Sequence, residues 1–235
     1  MKPSITKPTI KLKITDWWSN EDFDQNYFVR MLRKKYNVIE DENPDYLLYS
    51  VFGCKHAQYD CVKIFYTGEN ICPDFNACDY AIGFYHIDFE DRYLRYPLYF
   101  LYEKDLERAL HKHETPAKEN KTKFCNYIYS HSNGSKLREE FFDLLSQYKK
   151  VDSAGSYRNN IGGALPIVGG DFATSKYTFC KDYKFSIAFE NSSTHGYTTE
   201  KIIQAFGAGT IPIYWGDETI ATGGGAESKS VYQCP

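Results

Sequence analysis

No stretch of this chain approaches the ~20 consecutive apolar residues that cross a bilayer, and the opening segment MKPSITKPTIKLKITDWW has lysines but no apolar run of a secretory leader. There is no Cys-x-x-C, and seven cysteines make an odd set. The pattern therefore suits a reduced, cytoplasmic setting rather than a disulfide scaffold or a zinc site. A surplus of positive charge is also missing: 28 Lys and Arg stand against 31 Asp and Glu, a net charge of −3, which argues against a nucleic-acid partner. Internal repeats and low-complexity tracts are absent. What remains is a chain of 235 residues, 42% hydrophobic, able to bury a core in one to two domains of about 150 residues. Aromatics reach 17%, with 21 tyrosines, a composition that suits sugar-binding surfaces and ordinary cores alike.

The hydrophobic pattern reads as α/β. Ile10, Leu12 and Ile14 alternate with lysines, as in a strand with one wet face, and Phe23, Tyr27, Phe28, Met31 and Leu32 share a helical face. DYLLYSVF, VKIFYTG and DYAIGF read as short buried strands. Around Lys104–Lys123 the chain turns very polar, which predicts a helix to about His113 and then a linker over 114–122. Beyond it FCNYIYS, KFSIAF and TIPIYW read as strands. GSKLREEFFDLLSQYKK reads as a helix with Leu137, Phe141, Leu144, Leu145 and Tyr148 inside, and TTEKIIQAF as a helix capped by Gly209. The expected architecture is two Rossmann-like lobes with a cleft between them: 1–113, and 123–222 after the linker.

The chemistry concentrates in Tyr183–Asp217. A strand runs into a polar, Gly-containing loop that opens a helix near Thr198, and a first helical turn is a ready anion site. Lys201 sits in that turn, where a cation opposes the helix dipole unless an anion meets it. Glu200 beside it suits sugar hydroxyls. The same two residues also read as a plain ion pair on a solvated helix end. Asp16-Trp17-Trp18 ends the first strand. Trp17 and Trp18 are candidate acceptor contacts, by stacking on sugar faces, or else core packing. Cys54, Cys61, Cys72 and Cys78 read as buried thiols rather than metal ligands.

FENSSTHGYTTEK and IPIYWGD resemble the donor-binding signature of the family 10 glycosyltransferases, the α-1,3/4-fucosyltransferases, and Ile64–Phe100 is similar to the N-terminal-lobe pattern of its bacterial members. The resemblance implies a GT-B fold, GDP-β-L-fucose as donor and an inverting displacement onto a galactoside or N-acetylglucosamine-containing glycan, such as one of a lipopolysaccharide or capsule. Residue by residue, Glu69 in Tyr-Thr-Gly-Glu-Asn falls on the general base and Arg138 on the phosphate-binding arginine. Asn191, Tyr197, Glu200 and Lys201 fall on donor-contacting positions. Those residue types fit the chemistry: inversion needs a carboxylate to deprotonate the acceptor hydroxyl, and the departing diphosphate needs cations. No Asp-x-Asp falls where a metal would bridge the phosphates, so the expectation is no metal site and no required cofactor beyond the donor. Another nucleotide sugar on the same fold, and a remnant that only binds nucleotide, are the alternatives. After Gly216-Asp217 the resemblance stops, and 223–235 reads as an aberrant or disordered tail on an incomplete donor lobe. The expected location is cytoplasmic, peripheral at most to an inner membrane.

Overall fold

The computed structural model describes residues 6–19, 22–111, 121–163, 165, 172–221 and 232–233. They form two compact units, Met1–Tyr96 and Pro97–Pro235.

The first unit carries β1 (Thr9–Thr15), α1 (Tyr27–Leu32), β2 (Asn37–Glu40), β3 (Tyr46–Tyr49), β4 (Val62–Tyr66), β5 (Tyr80–Gly83) and β6 (Tyr93–Arg95). All six strands are parallel, in the order β2-β1-β3-β4-β5-β6. The alternation of β1 is realised: Leu12 is buried, while Lys13 bridges Glu40 at 2.9 Å and Glu42 at 2.7 Å on the wet face. Near-continuous apolar runs such as Leu47–Tyr49 fit strands covered on both sides. A fully buried leucine such as Leu47 contributes roughly 2 kcal/mol through lost contact with water. The expected helix from Phe23 is broken in two. A 3₁₀ turn spans Phe23–Gln25, and Asn26 then caps α1 by accepting the Phe28 N–H. Its inward residue is Val29, whereas Met31 is exposed.

The second unit carries α2 (Glu103–Leu110), β7 (Lys123–Tyr127), α3 (Lys136–Tyr148), β8 (Val151–Ser153), α4 (Phe172–Cys180), β9 (Tyr183–Phe189), α5 (Glu200–Gly207), β10 (Ile211–Trp215) and β11 (Tyr232–Gln233). Its sheet is also all parallel, in the order β11-β10-β9-β7-β8. Gly209 stands at φ +65° just past α5 and donates to Phe206 O, as a helix-ending glycine does.

Four expectations change. The units divide at Tyr96/Pro97 rather than after 113, because Leu106 and Ala109 of α2 pack against Ile202 and Ile203, and Gln204 Nε2 donates to Asp105 at 2.8 Å. The inner face of α3 holds in part: Leu137, Phe141 and Leu145 pack against the core as expected, but Leu144 and Tyr148 are exposed, and the fully buried residues are Arg138 and Phe142. Cys54 and Cys72 are exposed, while Cys78, Cys125 and Cys180 are buried and their thiols pushed up by burial to about 11, about 12 and about 11. Most of 114–122 and of 223–235 lies outside the described residues, but Tyr232–Gln233 pairs with β10 and supplies a strand at a sheet edge that would otherwise be open.

Candidate active site

In a parallel sheet, ligands bind beyond the carboxyl ends of the strands where the chain order reverses. In the second unit β7 leads through α3 to β8 on one side, then through α4 to β9 on the other, so the switch point lies between β7 and β9. The first turn of α3 and the loop 190–199 both start there, and Ser135 N–H, at the α3 cap, donates to Asn191 O at 3.0 Å. Of the residues picked from sequence, Arg138 lies in the first turn of α3, Asn191 and Tyr197 in the loop, and Glu200 and Lys201 at the start of α5, which the loop leads into.

Arg138 is 2% exposed. Its guanidinium lies 4.1 Å from the Tyr129 ring centroid and donates to Asn191 Oδ1 at 3.2 Å and His131 O at 3.5 Å. Both acceptors are neutral, and the buried Nε has no partner among the described residues. Gly134 makes room for the group: a Cβ there would stand 2.2 Å from Nη2. A buried cation with neutral partners and an unused donor is half of an ion pair.

Lys201 follows Glu200 at the start of α5 and donates to Glu190 at 3.1 Å and to Thr199 Oγ1 at 2.9 Å, with Glu200 at 3.8 Å. Burial alone would lower its pKa. The carboxylates of Glu190 and Glu200 outweigh that, so the ammonium is held well above its ordinary value. Burial opposes ionisation of Glu200 as well, and Lys201 followed by Lys176 more than offsets it, leaving that carboxyl below its usual range. The charge of Glu200, ahead of burial, raises the Tyr102 hydroxyl beside it. Tyr197 is 1% exposed, so it packs within the loop.

Two functional candidates escaped the sequence reading. Glu190, directly after β9, accepts the Thr199 N–H at 2.7 Å and its hydroxyl at 2.6 Å. Asp217 accepts from Gly196 N–H, Thr198 Oγ1–H, Thr219 N–H and Thr219 Oγ1–H at 2.9, 2.8, 2.9 and 2.6 Å, tying loop 190–199 to the end of β10. Burial raises the Asp217 pKa and these four donors more than cancel it, so it lies below its ordinary value. A depressed carboxyl contributes stability above its unfolded pKa of about 3.9 and loses it as pH falls through the folded value. Asp217→Asn is therefore expected to lower stability at pH 7 by about 1–3 kcal/mol. Melting curves from pH 3 to 7 should show the gap to wild type closing below about pH 4. Asp152, in β8, accepts the Tyr183 hydroxyl at 2.8 Å and pairs with Lys150 at 3.1 Å.

In the first unit, the corresponding switch point lies between β1 and β3. Asp16, just past β1, adopts φ +55° and accepts from the backbone of Lys55 at 3.0 Å, the backbone of His56 at 2.9 Å and the His56 ring at 2.8 Å. It thereby fastens the loop after β3 beside a cavity of about 670 Å³ lined by Trp17, Asn26, Glu40, Phe52 and Lys55 among others. Trp17 stacks on Trp18 at 4.4 Å and on Tyr66 at 5.8 Å, with its buried Nε1 unpartnered among the described residues. Trp18 is 41% exposed. Glu69 follows β4 in a turn closed by Thr67 Oγ1, which accepts the Glu69 N–H at 3.0 Å. It is exposed. Among the described residues, no group of three His, Cys, Asp or Glu side chains is arranged to hold a metal, and no helix is long and apolar enough to cross a membrane.

Two all-parallel α/β units, the second with buried cations at its switch point, define a GT-B-type glycosyltransferase fold. Residues 12–102 match the family model of the α-(1,3)-fucosyltransferase FucT N-terminal domain, and residues 118–228 that of the glycosyltransferase family 10 (fucosyltransferase) C-terminal part. The chain belongs to glycosyltransferase family 10. It is 33% identical to the α-(1,3)-fucosyltransferase FucT of Helicobacter pylori across 93% of this chain and 52% of that protein. It is 36% identical to α-(1,3)-fucosyltransferase B of Drosophila melanogaster, across 35% of this chain and 20% of the relative. A crystal structure of an α1,3-fucosyltransferase with GDP-fucose superposes with a TM-score of 0.77 at 29% identity, covering 98% of this chain and 74% of that one. The chain thus spans about half the length of the Helicobacter relative.

Proposed function

We propose that this protein is an inverting α-1,3-fucosyltransferase that moves L-fucose from GDP-β-L-fucose to a hydroxyl of a galactoside or N-acetylglucosamine glycan. The observation that carries the reading is Arg138, a buried guanidinium with neutral partners and a spare donor, at the switch point beside the Lys201 helix start. A diphosphate supplies the missing anion. Arg138 takes it through its planar fork and Lys201 as a point charge, and both meet the negative charge that grows on the leaving GDP. Asn191 orients the guanidinium. Glu200 accepts from fucose hydroxyls, and its negative charge favours the oxocarbenium-like carbon. Tyr197 shapes the loop around the donor. Glu69 takes the proton from the acceptor hydroxyl, and Trp17 and Trp18 offer the acceptor an aromatic face. The two cations supply the countercharge, so the reaction requires no cofactor beyond its co-substrate. The odd cysteine set suits a reducing, cytoplasmic location.

Thermal melting separates this reading from its rivals. GDP or GDP-fucose at a hundredfold excess over Kd stabilises by about 2.7 kcal/mol, which raises Tm by about 5–10 °C for a chain of this size. UDP at the same concentration should leave Tm in place, and lactose or N-acetyllactosamine should then accept labelled fucose. Equal stabilisation by UDP points to another donor, and binding without transfer to a nucleotide-binding remnant. No response to either nucleotide sinks the donor site itself.

A further inference from the structure

Glu190 is fully buried, and both of its carboxylate oxygens are engaged. Oε1 accepts the Thr199 N–H, while Oε2 accepts the Thr199 hydroxyl and the Lys201 ammonium. The Thr199 N–H and the Lys201 ammonium can only donate and the Thr199 hydroxyl is able to, a set that suits an ionised carboxylate facing an ammonium. Burial pushes the Glu190 carboxyl above its ordinary value, and the Lys201 charge and the Thr199 donors oppose that rise. The side chain is also walled in, since a Cβ on Gly216 would stand 2.5 Å from Glu190 Cγ. Lys201 in turn commits one proton to Glu190 and another to Thr199 Oγ1.

Burying a carboxylate is costly, and a cation meant only to seize phosphate would grip harder without one beside it. The carboxylate keeps the ammonium charged and aimed while the site is empty, and it subtracts from the attraction that an arriving diphosphate feels. We propose that Glu190 is a positioning residue and resident counter-charge for Lys201, which loosens the hold on the nucleoside diphosphate so that the product leaves after transfer. This rests on the reading of Lys201 as a phosphate-binding group. Release of product often limits turnover, so weakening that grip gives the carboxylate a place in the cycle.

Calorimetry with GDP on the full chain tests it, using wild type, Glu190→Gln, Lys201→Met and the double variant, with a melting curve for each. Removing one nearby charge should tighten GDP binding about tenfold in Glu190→Gln. kcat and the KM for GDP-fucose should fall together, and the gain in affinity should vanish in the Lys201→Met background. Lys201→Met alone strands the buried carboxylate, so it should melt below the double variant. A purely structural Glu190 would instead lower Tm and GDP affinity together. Equal or weaker GDP binding by Glu190→Gln overturns the proposal. If that variant does not fold, a double variant no more stable than Lys201→Met overturns it as well. Wild type that fails to bind GDP marks the different failure, that of the donor site.

Discussion

Arg138→Ala is expected to weaken GDP binding by about 100-fold. Truncating one partner of a buried, hydrogen-bonded charge pair costs about 2–5 kcal/mol, because the remaining charge is left without compensation. Here the stranded partner would be the diphosphate, held at the α3 start with only Lys201 and backbone N–H groups to meet it. The loss also reaches Asn191, whose Oδ1 accepts from the guanidinium at 3.2 Å, and Tyr129, whose ring it covers at 4.1 Å. Arg138→Lys separates charge from geometry. An ammonium restores the positive charge but not the planar fork, so it should recover less than a tenth of the lost affinity. Calorimetry with GDP measures both variants, and melting curves without nucleotide show how much of the change is fold stability. Wild-type affinity in Arg138→Ala would remove the residue from the phosphate site, and with it the observation on which the donor reading rests.

Much of this architecture is legible in the sequence where burial follows a simple period. β1 shows the alternation of a half-wet strand, and its lysines end in the ion pairs that alternation implies. β9 and β10 are short apolar runs ended by a polar loop or a glycine, as strands of a buried parallel sheet should be. The misreadings occur where function or irregular packing overrides the period. Helical periodicity puts charges outside, so the pattern of α3 predicts an inner stripe of Leu137, Phe141, Leu144, Leu145 and Tyr148. Leu137, Phe141 and Leu145 do pack against the core, whereas Leu144 and Tyr148 are exposed and the charged Arg138 is buried, which no hydrophobic period foretells. α4 escapes notice because its apolar residues do not share a face: Phe172 is exposed, while Ser175 and Cys180 are the buried positions. The position of α2 depends on contacts with Ile202 and Ile203, some hundred residues away, which no local pattern encodes. Glu190 lay inside the segment that carried the resemblance. A glutamate after an apolar strand nevertheless reads as the strand's polar end, and only the geometry shows Thr199 and Lys201 converging on it.

Glu69→Gln is expected to lower transfer by about 10²–10⁴-fold while leaving GDP affinity unchanged. The size follows from the role proposed for it: a positioned general base contributes that much by taking the proton as the acceptor oxygen attacks, and an amide cannot take it. The lack of effect on GDP follows from the assignment of the diphosphate to Arg138 and Lys201. Local structure favours a clean experiment. Glu69 is exposed, its carboxylate makes no hydrogen bond or ion pair among the described residues, and its turn is closed by backbone N–H donation to Thr67 Oγ1. Substitution by an isosteric amide therefore disturbs neither packing nor the turn, and Tm should move by less than about 2 °C. Glu69→Asp keeps the carboxylate but withdraws it by one methylene, so its rate should fall between the two, with the acceptor KM little changed. The informative pattern is a loss in kcat with GDP binding preserved. Turnover that survives in Glu69→Gln would move the base to another carboxylate, and an equal loss of GDP affinity would show that Glu69 acts on the donor instead.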